Sequence, residues 1–138
     1  MILKSPEQVI YRRMISDPLI ATLLGSRVFP ILAPASAAIP FAVYSRTAIQ
    51  REATLETVSG VPKVSLEIAV YAATYNGCRV LADAVRQTLD GYTGTAYSVV
   101  VSRCSLNQED DSIATLEGGE TPPAYQVTQT YEVLWQEI

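Results

Sequence analysis

Apolar positions along the 138-residue chain fall into two rhythms. In "KVSLEIAVYA", residues 63–72, Val64, Leu66, Ile68 and Val70 alternate with Ser65, Glu67, Ala69 and Tyr71. A period of two predicts a strand with one buried face. The spacing then changes. Cys78, Leu81, Ala82, Val85 and Leu89 stand at i, i+3, i+4, i+7 and i+11, while Arg79, Asp83, Arg86 and Asp90 fall on or beside the opposite side. That is one apolar stripe on a helix, with Thr74 or Asn76 as its cap and Gly91 as its terminator. The alternation returns in "FAVYSRTAI" (41–49), in "YSVVVSRCSL" (97–106) and in the closing "AYQVTQTYEVLW". In the last of these, Tyr125, Val127, Tyr131, Val133 and Trp135 share a face that Gln129 interrupts.

Two helices are predicted before the first full strand. In "SPEQVIYRRMI", Ser5 suits the N-cap, Pro6 the first helical position and Gln8 the third residue of a capping box. In "DPLIATLLG", Asp17 caps, Pro18 opens and Gly25 closes a short helix. The two must break at Asp17, because a residue before proline disfavours the helical region. "RVFP" reads as a short extended piece and "ILAPASAAIP" as a loop. "QREATLETVSGVP" reads as a long connector, and "NQEDDSIATLEGGETPP" (107–123) as an acidic loop with a Gly pair and a Pro pair. The order predicts one domain over 1–138 with an α+β fold: a mainly antiparallel sheet of four or five strands with helices packed on one face.

Charge narrows the chemistry. All ten Lys and Arg lie in residues 1–103, whereas 104–138 hold seven acids and no base. Net charge is −4. An acidic domain without a basic run suits neither sequence-specific nucleic-acid binding nor an anionic membrane. No apolar stretch is long enough to span a bilayer, and "MILKSPEQVIYRR" lacks the layout of a signal peptide, so synthesis in the cytoplasm is expected. Histidine is absent, which removes the commonest general base and metal ligand. The two cysteines, Cys78 and Cys104, are too few for a disulfide framework.

The turn "YNGC" (75–78) joins strand to helix, where nucleophiles and phosphate loops often sit. Cys78 has no histidine to make its thiolate and lies on the apolar stripe, so it reads as a core residue. Gly77 alone makes neither a G-x-G-x-x-G nor a Walker loop. Glu109, Asp110 and Asp111 lack the spacing of a calcium loop and read as solvated. Lys4 and Lys63 read as exposed. No catalytic, cofactor-binding or metal-ligating residue is assigned. Eight tyrosines, Tyr44, Tyr71, Tyr92 and Tyr97 among them, do not all fit one buried face, and exposed tyrosine favours protein contacts.

The layout resembles the tail-completion, tail-terminator-like family of long-tailed bacteriophages. Four pieces carry the likeness in order: "DPLIATLLGSRVFP", "APASAAIPFAVYSR", "VSLEIAVYAATYNGCRVLADAVRQTLDG" and "YQVTQTYEVLW". The long acidic 107–123 segment and Gly77 depart from the family pattern. The resemblance implies a non-enzymatic virion protein without a cofactor. It implies a homo-oligomeric ring, commonly hexameric, at the head-proximal end of the tail. That ring ends tail-tube growth, and its partners are the tail tube protein and the neck or head connector protein.

Alternatives are another neck or head–tail connector ring protein, a small-ligand-binding α+β regulatory domain, and a hydrolase built on a carboxylate pair. For a ring, connectors 50–62 and 107–123 are expected to leave the core. Arg12, Arg13 and Arg51 of one subunit are expected to face Glu109, Asp110 and Asp111 of the next, fixing register more than affinity. The acidic excess also suits the wall of an opening through which DNA passes.

Overall fold

The structure, a computed structural model, describes residues 6–25, 27–31, 33, 39–50, 63–96, 99–114 and 124–137. Three helices, α1 (Pro6–Ser16), α2 (Pro18–Leu24) and α3 (Tyr75–Leu89), accompany six strands. The strands are β1 (Val28–Pro30), β2 (Phe41–Gln50), β3 (Lys63–Ala72), β4 (Gly94–Ala96), β5 (Val99–Ala114) and β6 (Ala124–Glu137). They form one sheet in the order β1-β2-β3-β6-β5-β4. The α+β class and the helix-covered face are as expected. The strand number is six rather than four or five, and the sheet is mixed, because β1 runs parallel to β2.

Local chemistry explains most element ends. Asp17 is extended, and its side chain accepts a hydrogen bond from the Ile20 amide at 3.1 Å. Pro18 then opens α2 at the position where its missing N–H costs nothing. Gly25 closes the helix at φ +59°, a conformation that disfavours a side chain. Thr74 caps α3 by accepting from the Gly77 amide at 3.0 Å. A Cβ at Gly77 would sit 2.9 Å from that Thr74 hydroxyl. The departure at position 77 therefore makes room for the cap. The predicted cap Ser5, the connector at 51–62 and Tyr97 lie outside the described residues.

The core forms between the α3 stripe and one face of the sheet. Cys78, Leu81, Ala82, Val85 and Leu89 are buried, as the spacing predicts. Opposite them lie Val64, Leu66, Ile68 and Val70 of β3 and Val127, Tyr131, Val133 and Trp135 of β6. From α1 and α2, Val9, Ile10, Met14, Ile20 and Leu24 complete the same cluster. Among described residues no helix covers the other face, which carries Ser65, Glu67, Gln126, Thr128, Thr130 and Asp110. Tyr71 stacks on Phe41 there, with ring centroids 4.7 Å apart.

The largest correction concerns residues 107–114, which are not a loop. They are the second half of β5, which pairs with β6 from Val99↔Glu137 to Ala114↔Ala124. Register shifts at Val101/Arg103 and Leu106/Gln108 leave Ser102 and Asn107 as extra residues. Each bulge reverses the alternation. The helix-facing positions of β5 are therefore Val99, Val101, Cys104, Leu106, Glu109, Asp111 and Ile113, a series that no single period reveals.

Burial pushes the Cys104 thiol up to about 12, and burial likewise raises Tyr131. Both groups hold their protons more tightly folded than unfolded. Stability is thus full below pH 9 and falls as pH rises past the unfolded thiol value. One such group lowers the unfolding free energy by up to about 1.4 kcal/mol per pH unit. Urea denaturation between pH 8 and 11 should show this decline, and Cys104→Ala should flatten it. An unchanged slope in the variant would contradict the assignment.

Candidate assembly surface

The three acids of the "NQEDD" stretch alternate across the sheet because they sit on a strand. Glu109 and Asp111 face α3, whereas Asp110 lies on the uncovered face and its Oδ2 accepts from Gln108 Nε2 at 2.7 Å. On the helix side one arginine serves both neighbours. Arg79 Nη1 is 2.7 Å from Glu109 Oε1 and 3.5 Å from Asp111 Oδ1. The other oxygen of Asp111 accepts from the Tyr75 hydroxyl at 2.7 Å. Hydrogen bonding to Asp111 raises the Tyr75 pKa, and hydrogen bonding to Glu109 raises that of Arg79.

This chain of contacts runs inward to a buried amide. Gln129 is fully buried, the polar exception on β6. Its Nε2 donates to Glu109 Oε2 at 2.7 Å and to the Ala82 carbonyl at 2.9 Å. Its Oε1 accepts from the Tyr131 hydroxyl at 2.8 Å. Tyr75, Arg79 and Ala82 of α3, Glu109 and Asp111 of β5, and Gln129 and Tyr131 of β6 thus form one network. A buried amide without partners costs about 1–3 kcal/mol, so the network ties helix position to strand register.

The basic members of the expected interface lie elsewhere. Arg12 is exposed on α1, 5.7 Å from the Tyr11 ring centroid. Arg13 stands over the Tyr92 ring at 4.8 Å, and its Nε is 3.5 Å from the Thr88 carbonyl. Arg51 lies outside the described residues. Within one subunit the cationic partner of Glu109 and Asp111 among the described residues is Arg79, which the sequence placed only on the polar side of α3.

The 75–78 turn points its thiol into the core. Cys78 is buried, and its Sγ lies 3.4 Å from the Val70 and Tyr125 carbonyls. Burial raises its pKa, which disfavours the thiolate. Among the described residues no three His, Cys, Asp or Glu side chains are grouped to hold a metal ion. A surface hollow lined by Arg13, Ser16, Asp17, Pro18 and Thr88 has a volume of about 140 Å³. Ligand pockets run to roughly 300–1,000 Å³.

Among the described residues the distinctive chemistry lies on the charged strand and helix surface around Arg79, Glu109 and Asp111. The model of the family described as "Tail completion protein gp17" matches residues 8–134. The chain belongs to that family, and so is a structural protein of phage tails. Among curated proteins none matches significantly. Among solved structures, a chain from "Virion of native gene transfer agent (GTA) particle" shares the fold. Its TM-score is 0.69 at 13% identity, over 92% of this chain and 91% of that one.

Gln129→Leu should lower the unfolding free energy by about 1–3 kcal/mol, because Tyr131 and Glu109 lose a buried partner. Adding Tyr131→Phe should cost less than the sum of the two single changes. A urea double-mutant cycle with additive costs would contradict the network.

Proposed function

We propose that this protein is the ring subunit that completes the tail. Copies close head-to-tail, six being the expected number, at the end of the tube nearest the head. The ring stops tube growth and offers its other side to the head connector. The family match over nearly the whole chain carries this reading. A cyclic ring needs two different complementary patches on each subunit. The acidic stretch Glu109–Asp111 is proposed as one, and basic groups at Arg12, Arg13 and Arg51 as contributors to the other. The uncovered sheet face carries Glu67, Asp110 and Glu132 against Lys63, 3.4 Å from Glu132, and Arg103, a small acidic excess that suits a passage which DNA crosses without sticking.

The test mixes the protein with tail tube protein during tube growth. Tubes of limited length with added density at one end are expected in electron micrographs. Tubes of unchanged length distribution with bare ends would overturn the reading. A thermal-shift screen distinguishes the ligand-binding alternative, which requires several degrees of stabilisation by one small molecule.

A further inference from the structure

Among the described residues the sheet has an open edge on each side, and the two openings lie at opposite ends. On one side β1 covers β2 only at Ala42–Tyr44, where the Ile31 amide donates to the Tyr44 carbonyl at 2.7 Å. β2 runs on to Gln50 with no further strand beside it among the described residues. On the other side β4 covers β5 only at Val99–Val101. The Gly91 amide donates to the Cys104 carbonyl at 2.7 Å, and the Leu106 amide donates to Asp90 Oδ1 at 3.0 Å. Past Leu106 the outer edge of β5 meets no other strand among the described residues.

The outward groups follow from ladder alternation. Leu106 faces out, so Tyr131 opposite it faces β3, and Thr130 faces β5. Gln108, opposite Thr130, therefore bonds inward. Glu109, Asp111 and Ile113 present amide and carbonyl outward. On β2, Tyr44 faces out, and so does Arg46 two residues on; the extra residue Thr47 then moves the next outward position to Ile49. Long bare strand edges are rare on monomers because they recruit another strand.

We infer that the Arg46–Gln50 edge of one copy pairs antiparallel with the Glu109–Ile113 edge of the next, continuing the sheet from subunit to subunit. The inference rests on the ring reading and adds the joint by which the ring closes. Direction supports it first. β2 is antiparallel to β3, β3 to β6 and β6 to β5, so β2 and β5 run oppositely. Copies related by rotation about an axis along the sheet then meet antiparallel.

Charge supports it second. Glu109 and Asp111 share one arginine, Arg79, and Asp110 adds a further carboxylate behind them. Arg46 lies on the same side of the sheet as Glu109 and Asp111, since it stands opposite Leu66. Its side chain is 46% exposed and its Nε stands 3.5 Å from Glu7 Oε1, so the cation lies at the sheet edge while paired with α1.

Stagger supports it third. Within one sheet Arg46 is level with Leu66, Tyr131 and Leu106. Placing it opposite Asp111 or Ile113 of the next copy shifts the copies by the β6 distance from Tyr131 to Val127 or Tyr125. That is about 14–20 Å along the strands, across a four-strand repeat about 19 Å wide. The resulting strand tilt is about 36–47°. Closed barrels tilt their strands by about 35–45°.

Cysteine pairs test the joint, because native Cys78 and Cys104 are buried. Arg46→Cys/Ile113→Cys and Arg46→Cys/Asp111→Cys are oxidised over a range of concentrations, alone and with tube protein, and assembly mass is followed by light scattering. A ladder of disulfide-linked multimers from at least one pair is expected. Ring-mass assemblies without intermolecular disulfide in either pair would overturn the joint and leave the ring standing. Wild-type protein that stays monomeric under every condition would overturn both. Ile113→Pro, at a 64% exposed edge residue, should keep the unfolding temperature within a few degrees and abolish assembly. Wild-type assembly by that variant would also contradict the joint.

Discussion

The fold depends on finding partners for one buried amide. Gln129 sits in the middle of β6 with no exposed surface, where the alternation calls for an apolar side chain. It is held by Glu109 from β5, the Ala82 carbonyl from α3 and Tyr131 from its own strand. An apolar residue would have tolerated a sliding helix or a slipped strand. An amide with three partners does not, because any slip leaves buried polar atoms unpaired. Arg79 then secures Glu109 from the solvent side, and Asp111 holds Tyr75 at the start of α3. The acids are therefore part of the frame before they are part of any interface.

The same arrangement explains how a sixteen-residue strand survives at the side of a sheet. Its first part is covered by β4 and its middle by groups at the end of α3. Its remainder is stabilised through its side chains, by Arg79 and Gln129, rather than through a second neighbouring strand. Among the described residues that leaves backbone groups facing no strand in a stretch crowded with carboxylates. Charge of one sign protects such an edge against random pairing. A partner edge bearing a cation such as Arg46 is discriminated from others by that charge. On this view, the family's assembly role draws on a feature that the monomer fold itself creates.

Much of this was legible in the sequence. β3 and α3 were plain because burial follows a strict period of two and then one apolar stripe. α2 was plain because Asp17, Pro18 and Gly25 each act through local chemistry. β4 was not, since "GTA" is three residues with no apolar alternation. The far half of β5 was hidden for two reasons. The bulges at Ser102 and Asn107 twice reverse the alternation, and its helix-facing positions include Glu109 and Asp111. Their place on the helix side is met by Arg79, thirty and thirty-two residues away, and for Glu109 by Gln129, twenty residues away. One signal was present: Gln129 interrupting an apolar face asks for polar partners, and an acid-rich segment beside an arginine-bearing helix supplies them.

The most direct measurement is residue-resolved amide hydrogen exchange across 106–114, in the free subunit and in the assembled state. The account requires slow exchange at Gln108, Asp110 and Ser112 in both, since those amides bond to β6. It requires fast exchange at Glu109, Asp111 and Ile113 in the free subunit, turning slow on assembly. Uniformly fast exchange in the free subunit would mean the segment is not a strand. Outward amides that stay fast after assembly would mean the subunits meet elsewhere.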